Sequence, residues 1–70
     1  IEGRELTAAI NAFLKTLSAF DRNVFVCRYW YLDPVRDIAK ATHASESRIK
    51  SILFRLRKKL RVYLEEEGLL

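Results

Sequence analysis

From Ser45 to Leu64 the apolar residues recur at steps of three and four: Ile49, Ile52, Leu53, Leu56, Leu60, Tyr63 and Leu64. At about 100° per residue these positions fall within about 60° of one direction, so the segment is expected to be one long amphipathic helix with a continuous core stripe. Ser45 stands where an N-cap is needed, its hydroxyl able to accept from a free N–H of the first turn. The face opposite the stripe carries Ser47, Ser51, Arg55 and Lys58, with Arg48 and Lys50 at its flanks.

The rest of the chain supplies cover for that stripe. Leu6, Ile10, Phe13, Leu14 and Leu17 predict a first helix from Glu5 to Leu17, ended by Ser18. With Asp21 three residues on, Ser18 also serves as N-cap of a second helix bearing Phe20, Val24, Phe25, Cys27 and Tyr29, which frays between Trp30 and Leu32. Val24 to Leu32 is rich in β-formers, but its neighbours all read as helix. Asp33-Pro34 predicts the next start, with Asp33 capping and Pro34 in the first helical position, where its missing N–H costs nothing. That short third helix runs to Thr42 with Val35, Ile38 and Ala39 inward and Ala41 at the margin. Thr42-His43-Ala44 is then a tight connection. At the far end Gly68 is a stop signal, and Glu65, Glu66 and Glu67 oppose the helix dipole, so the last turn is expected to fray or to be held by cations outside this domain.

The expected fold is therefore all-α: a four-helix domain over residues 5–68 containing a helix-turn-helix, with no winged elements. Residues 1–4, Ile-Glu-Gly-Arg, spell a processing-protease site. They are read as an engineered remnant or a lead-in to the first helix and carry no functional weight.

Composition excludes several classes. A chain of 70 residues supports one core. Half of it is apolar and 31% is charged, which suits a packed soluble fold rather than disorder. No apolar run approaches the roughly 20 residues of a membrane span, and no secretory leader is recognisable, so no membrane role and a cytoplasmic setting are expected. One cysteine and one histidine rule out a disulfide framework and an ordinary structural zinc site; neither metal nor cofactor is expected. Cys27, among Val24, Phe25, Val26 and Tyr29, reads as a buried inert thiol. His43 has no serine, cysteine or carboxylate arranged with it as a nucleophile and base, so no catalytic residue is assigned and the chain is not expected to be an enzyme.

The net charge of +4 is unevenly divided. Between Ser45 and Arg61 seven cations (Arg48, Lys50, Arg55, Arg57, Lys58, Lys59, Arg61) stand against Glu46, a balance of +6; the remaining six cations and eight anions leave −2. A charge run by itself is most often a solvated face. Joined to a helix-turn-helix it points to a localised polyanion contact. The second helix of such a motif enters the major groove, so its first exposed residues must be short or flexible enough to let the backbones approach. Ser47 and Ser51 leave that room, while Arg48, Lys50 and Arg55 can reach bases or phosphates from the rim. Arg57, Lys58, Lys59 and Arg61 lie further along and suit phosphates.

Asp37-Ile38-Ala39, Ser45-Glu46-Ser47-Arg48-Ile49-Lys50-Ser51 and Leu53-Phe54-Arg55-Leu56-Arg57-Lys58-Lys59-Leu60 resemble region four, the C-terminal promoter-reading domain of bacterial RNA polymerase sigma factors. Leu17, Asp21-Arg22-Asn23-Val24-Phe25 and Arg28-Tyr29 are similar to the start of the same domain. The resemblance runs from Leu6 to Gly68 and is nearest the extracytoplasmic-function class. It implies recognition of the minus-35 element of double-stranded promoter DNA, docking on the β-subunit flap of RNA polymerase, an anti-sigma factor as a further partner, and a monomer in isolation. Carried over by position, Ser45, Glu46, Ser47, Arg48, Lys50, Ser51, Arg55 and Lys58 face DNA, and Arg57, Lys59 and Arg61 anchor phosphates. Glu46 fits only if it accepts from a cytosine amino group.

The chain departs from the family pattern at His43, where a glycine is common, and at Ile52 and Leu56, both of which widen the apolar stripe. Phe54 points about 140° from the core direction; packing on a neighbouring element is favoured over contact with a thymine methyl or sugar. For Trp30 and Tyr31 a core corner is favoured over an exposed patch. Two other functions compete: the output domain of a response regulator, dimeric on two half-sites, and a protein-interaction module for an acidic partner.

Overall fold

The computed structural model describes residues 3–70, which form four helices: α1 (Gly3–Lys15), α2 (Ala19–Tyr29), α3 (Val35–Thr42) and α4 (Glu46–Glu66). No strand occurs among the described residues, and none of their helices is long and apolar enough to cross a membrane. The α4 helix has 21 residues, about 30 Å at 1.5 Å per residue, and the molecule's longest extent is 36 Å. The other three helices all pack on it.

The α4 stripe does what its periodicity requires. Ile49, Ile52, Leu53 and Leu56 enter one core with Val24 and Phe25 of α2 and Ile38 and Ala39 of α3, while Leu14, Leu17, Phe20, Val35, Ala44 and Leu60 close its margins. Ile49, Leu56 and Val24 are completely enclosed. Further along, Leu64 is buried and Tyr63 half-buried. The α1 helix joins through Phe13, whose ring meets Phe25 edge-on at 6.2 Å and Tyr63 at 5.7 Å. Cys27 is only half-buried; that burial, followed by the neighbouring Asp33 carboxylate, raises its pKa and keeps the thiol protonated.

Local chemistry sets the boundaries. The Ser18 hydroxyl accepts from the Asp21 N–H and the Ser45 hydroxyl from the Arg48 N–H, each at 3.1 Å, so both serine caps form as expected. At α3 the expectation is corrected. Pro34 is itself the N-cap, extended at φ −67°, ψ 150°, with no side-chain cap, and its carbonyl accepts from Asp37 and Ile38. Asp33 instead closes the preceding turn: its N–H donates to the Cys27 carbonyl at 2.9 Å and its carbonyl accepts from Arg28 Nη1 at 3.2 Å. The α1 helix begins earlier than expected, at Gly3, and ends earlier, at Lys15. Gly3 and Arg4 therefore belong to a helix, while Ile1 and Glu2 lie outside the described residues.

Two helix ends close in the same way. His43 is left-handed at φ 58°; its N–H reaches the Lys40 carbonyl and the Ala44 N–H the Ala39 carbonyl. At Gly68, φ 73°, the Gly68 N–H reaches the Glu65 carbonyl and the Leu69 N–H the Leu64 carbonyl. The α4 helix thus ends in a closed turn at Gly68 despite its three acids. Leu32 is also left-handed, at φ 59°, where the chain leaves α2. That turn carries Trp30 and Tyr31 outward, 79% and 66% exposed, and overturns their expected place at a core corner.

Candidate nucleic-acid interface

The α3 helix, the turn at His43-Ala44-Ser45 and α4 form the helix-turn-helix. Because Ile49, Ile52, Leu53 and Leu56 point into the core, the other side of α4 must face outward. Ser47, Lys50 and Ser51 are exposed there, with no side-chain hydrogen bond or ion pair to other described residues. Glu46 is exposed in the first turn. The Ser45 hydroxyl is spent on the cap, leaving its remaining capacity for other contacts.

The longer side chains are more committed. Arg48 lies 5.5 Å from the centre of the Phe20 ring. Arg55 Nη2 is 3.0 Å from Asp21 Oδ2. Arg57 Nη1 donates to the Tyr29 hydroxyl at 2.7 Å, and Arg61 Nε is 3.7 Å from Glu65 Oε1, one turn on. Lys59 lies beside Phe13, Thr16 and Tyr63, on the flank toward α1. Lys58 reaches back over the Phe54 ring at 5.2 Å. The expected packing of Phe54 on another element is corrected: the residue is 57% exposed, with Lys58 of its own helix over the ring. With more than half of its surface exposed, the ring joins the outward face.

The structure therefore brings Ser47, Arg48, Lys50, Ser51, Arg55 and Lys58 onto one outward surface with Phe54, while Arg57 is drawn to Tyr29 of α2, Lys59 lies on the flank toward α1 and Arg61, exposed, pairs with Glu65 of its own helix. Phe20, Asp21 and Tyr29, which hold three of the arginines, have no counterpart in the sequence reading. Asp21 was legible only as a capping residue, because a pairing across 34 positions leaves no mark on local periodicity.

Residues 13–62 match the family model described as sigma-70, region 4. The chain belongs to the sigma-70 region 4 family. No curated protein and no solved structure matches it. Region 4 is the DNA-binding part of a sigma factor acting in transcription initiation, not an enzyme family, and it works with promoter DNA and RNA polymerase. In this region 4 the match covers all of α2 and α3, the turn, and α4 as far as Val62.

A second surface lies away from the core stripe of α4. Thr7, Ile10, Asn11 and Leu14 of α1 face Phe25, Val26 and Tyr29 of α2, with Trp30 and Tyr31 beyond, across an open apolar groove of about 530 Å³. With the exposed Leu32 this is a concentrated apolar surface on a small domain.

Proposed function

We propose that the outward face of α4 reads the minus-35 element of a promoter while the groove between α1 and the end of α2 seats the flap of the polymerase β subunit. Ser47 and Ser51 let the helix approach the major groove; Arg48, Lys50 and Arg55 reach base edges; Glu46 accepts from a cytosine amino group. Phe54 supplies apolar contact to a thymine methyl or sugar. Lys58 meets phosphate from the face itself, and Arg57, Lys59 and Arg61 reach phosphates along the flanks once they release their intramolecular contacts.

One observation carries the reading. The helix whose opposite side organises the core presents small hydroxyls, cations and one aromatic ring to the outside, with Ser47, Lys50, Ser51, Phe54 and Lys58 all exposed and α2 touching the face at its edge, through Phe20 and Asp21. The apolar groove supports a protein partner at a separate place, and an anti-sigma factor covering Trp30 and Tyr31 would compete with the flap there.

Transcription by holoenzyme reconstituted with the full-length protein tests both parts. Each of Arg48→Ala, Lys50→Ala and Arg55→Ala is expected to lower promoter-specific initiation by about tenfold where a base contact is lost. Unchanged promoter choice in all of them would overturn the site. In the same system Trp30→Ala is expected to weaken association with core polymerase and to leave binding of the isolated chain to DNA unaltered; unchanged association would remove the groove from the proposal.

A further inference from the structure

The first turn of α2 holds two cations of the α4 face, one by charge and one by a ring. Asp21 Oδ2 lies 3.0 Å from Arg55 Nη2, and Phe20 lies under Arg48 at 5.5 Å. Arg48 and Arg55 are two turns apart on the same flank of α4. Asp21 is itself anchored, because its N–H donates to the Ser18 hydroxyl at 3.1 Å. Its side chain is 16% exposed, against 48% for Arg55, so a nearly covered carboxylate grips one edge of a half-open guanidinium.

We propose that Asp21 is a positioning residue for DNA reading: it fixes the plane of the Arg55 guanidinium toward a base edge and cancels the charge that would otherwise draw it to the nearest phosphate. The proposal rests on α4 being the DNA-reading helix. A guanidinium carries five N–H donors in a planar fork, so the bond to Asp21 leaves donors free to meet two acceptors on a guanine. An untethered arginine must lose its rotamer freedom on binding, and phosphates surround the groove on both sides. The carboxylate removes part of that ordering cost before DNA arrives and makes phosphate capture less rewarding. The pair thus converts a general electrostatic contact into a discriminating one.

The probe is a duplex library randomised over its central base pairs, with bound and unbound fractions sequenced for the wild-type chain, Asp21→Asn, Asp21→Glu, Arg55→Ala and the double variant Asp21→Asn/Arg55→Ala. The base pair whose preference disappears in Arg55→Ala is the one that Arg55 reads. Asp21→Asn is expected to reduce preference at that same base pair by about fivefold, the effect of leaving one rotamer-rich side chain to be ordered on binding. Affinity for the unselected library should rise, with a salt dependence steeper by about one counterion. Asp21→Glu should retain the preference, and Asp21→Asn should change nothing once Arg55 is alanine.

Full preference at the Arg55 base pair in Asp21→Asn would overturn the proposal. So would a uniform loss of preference at every position accompanied by a lower melting temperature, the mark of a merely structural pair. A wild-type chain without preference anywhere in the library overturns the DNA-reading assignment itself and the proposal with it. A wild-type preference that survives Asp21→Asn overturns the proposal alone.

Discussion

Phe54 and Leu56 stand two residues apart on α4 in opposite surroundings. Leu56 is fully enclosed among the residues of α2 and α3, whereas Phe54 lies 57% exposed beneath Lys58. Truncating Leu56 removes buried methyl groups and leaves a cavity that the packed helices close only in part. Leu56→Ala is expected to cost about 3 kcal/mol, a large share of the roughly 5 kcal/mol available to so small a domain. Its denaturation midpoint should fall accordingly at unchanged slope. Phe54→Ala should stay within about 0.5 kcal/mol of wild type in the same titration and yet bind duplex DNA more weakly. Both effects trace to one angle. The periodicity located Leu56 in the stripe and set Phe54 well away from it; what it lacked was whether another helix covered that second direction, and none does. Backbone conformation was legible to a similar depth. The family pattern, in which a glycine is common at the position of His43, marked that residue as one that could be left-handed, and it is. Leu32 gave no such sign, since its conformation follows from the bond between the Asp33 N–H and the Cys27 carbonyl beyond the end of α2.

The two serine caps are chemically alike but open helices with different tasks. Ser18 starts α2, which braces α4 from below; Ser45 starts the helix that is proposed to enter DNA. Losing either hydroxyl leaves a first-turn N–H without its acceptor, so Ser18→Ala and Ser45→Ala are each expected to cost about 1 kcal/mol in chemical denaturation. Only Ser45→Ala should also reduce DNA affinity beyond what the lost stability explains, because the frayed turn holds Glu46, Ser47 and Arg48. Equal affinity for the two variants would show that the start of α4 is not the reading end. These caps were visible in the sequence because their partners lie three residues away. Asp33 failed as a cap for the converse reason: its backbone is held by Cys27 and Arg28 of the preceding helix, and Pro34 was left to begin α3 with its own carbonyl. Trp30 and Tyr31 misled in the same manner. Apolar character argues for burial, but α2 ends at Tyr29 and the turn that follows directs both rings away from the core.

Over the whole molecule the +6 of residues 45–61 overstates what a polyanion would meet. Arg55 and Arg61 are already matched by Asp21 and Glu65 at 3.0 and 3.7 Å. Arg57 keeps its charge, but the Tyr29 hydroxyl draws it across α2. Among the described residues no carboxylate lies within salt-bridge distance of Arg48, Lys50, Lys58 or Lys59. The acids at the end of α4 do little to cancel Arg48 and Lys50 at its start, since the helix is about 30 Å long and charges are screened beyond about 10 Å in ordinary salt. The four cations proposed to meet phosphates, Arg57, Lys58, Lys59 and Arg61, give a slope of about −3.6 for the logarithm of the binding constant against the logarithm of salt concentration, with the Arg55–Asp21 pair kept closed. Titrating the chain with a fixed duplex between about 50 and 200 mM salt measures that slope in the range where counterion release is read most directly. Engagement of every cation in the segment would give about −6 and would mean that both ion pairs open on binding. In that case Arg55 would be free to reach phosphate, in conflict with its retention by Asp21. A slope near zero would remove the electrostatic basis for DNA contact through α4. The value between these limits fits a helix that keeps part of its positive charge in reserve for holding its own side chains in place.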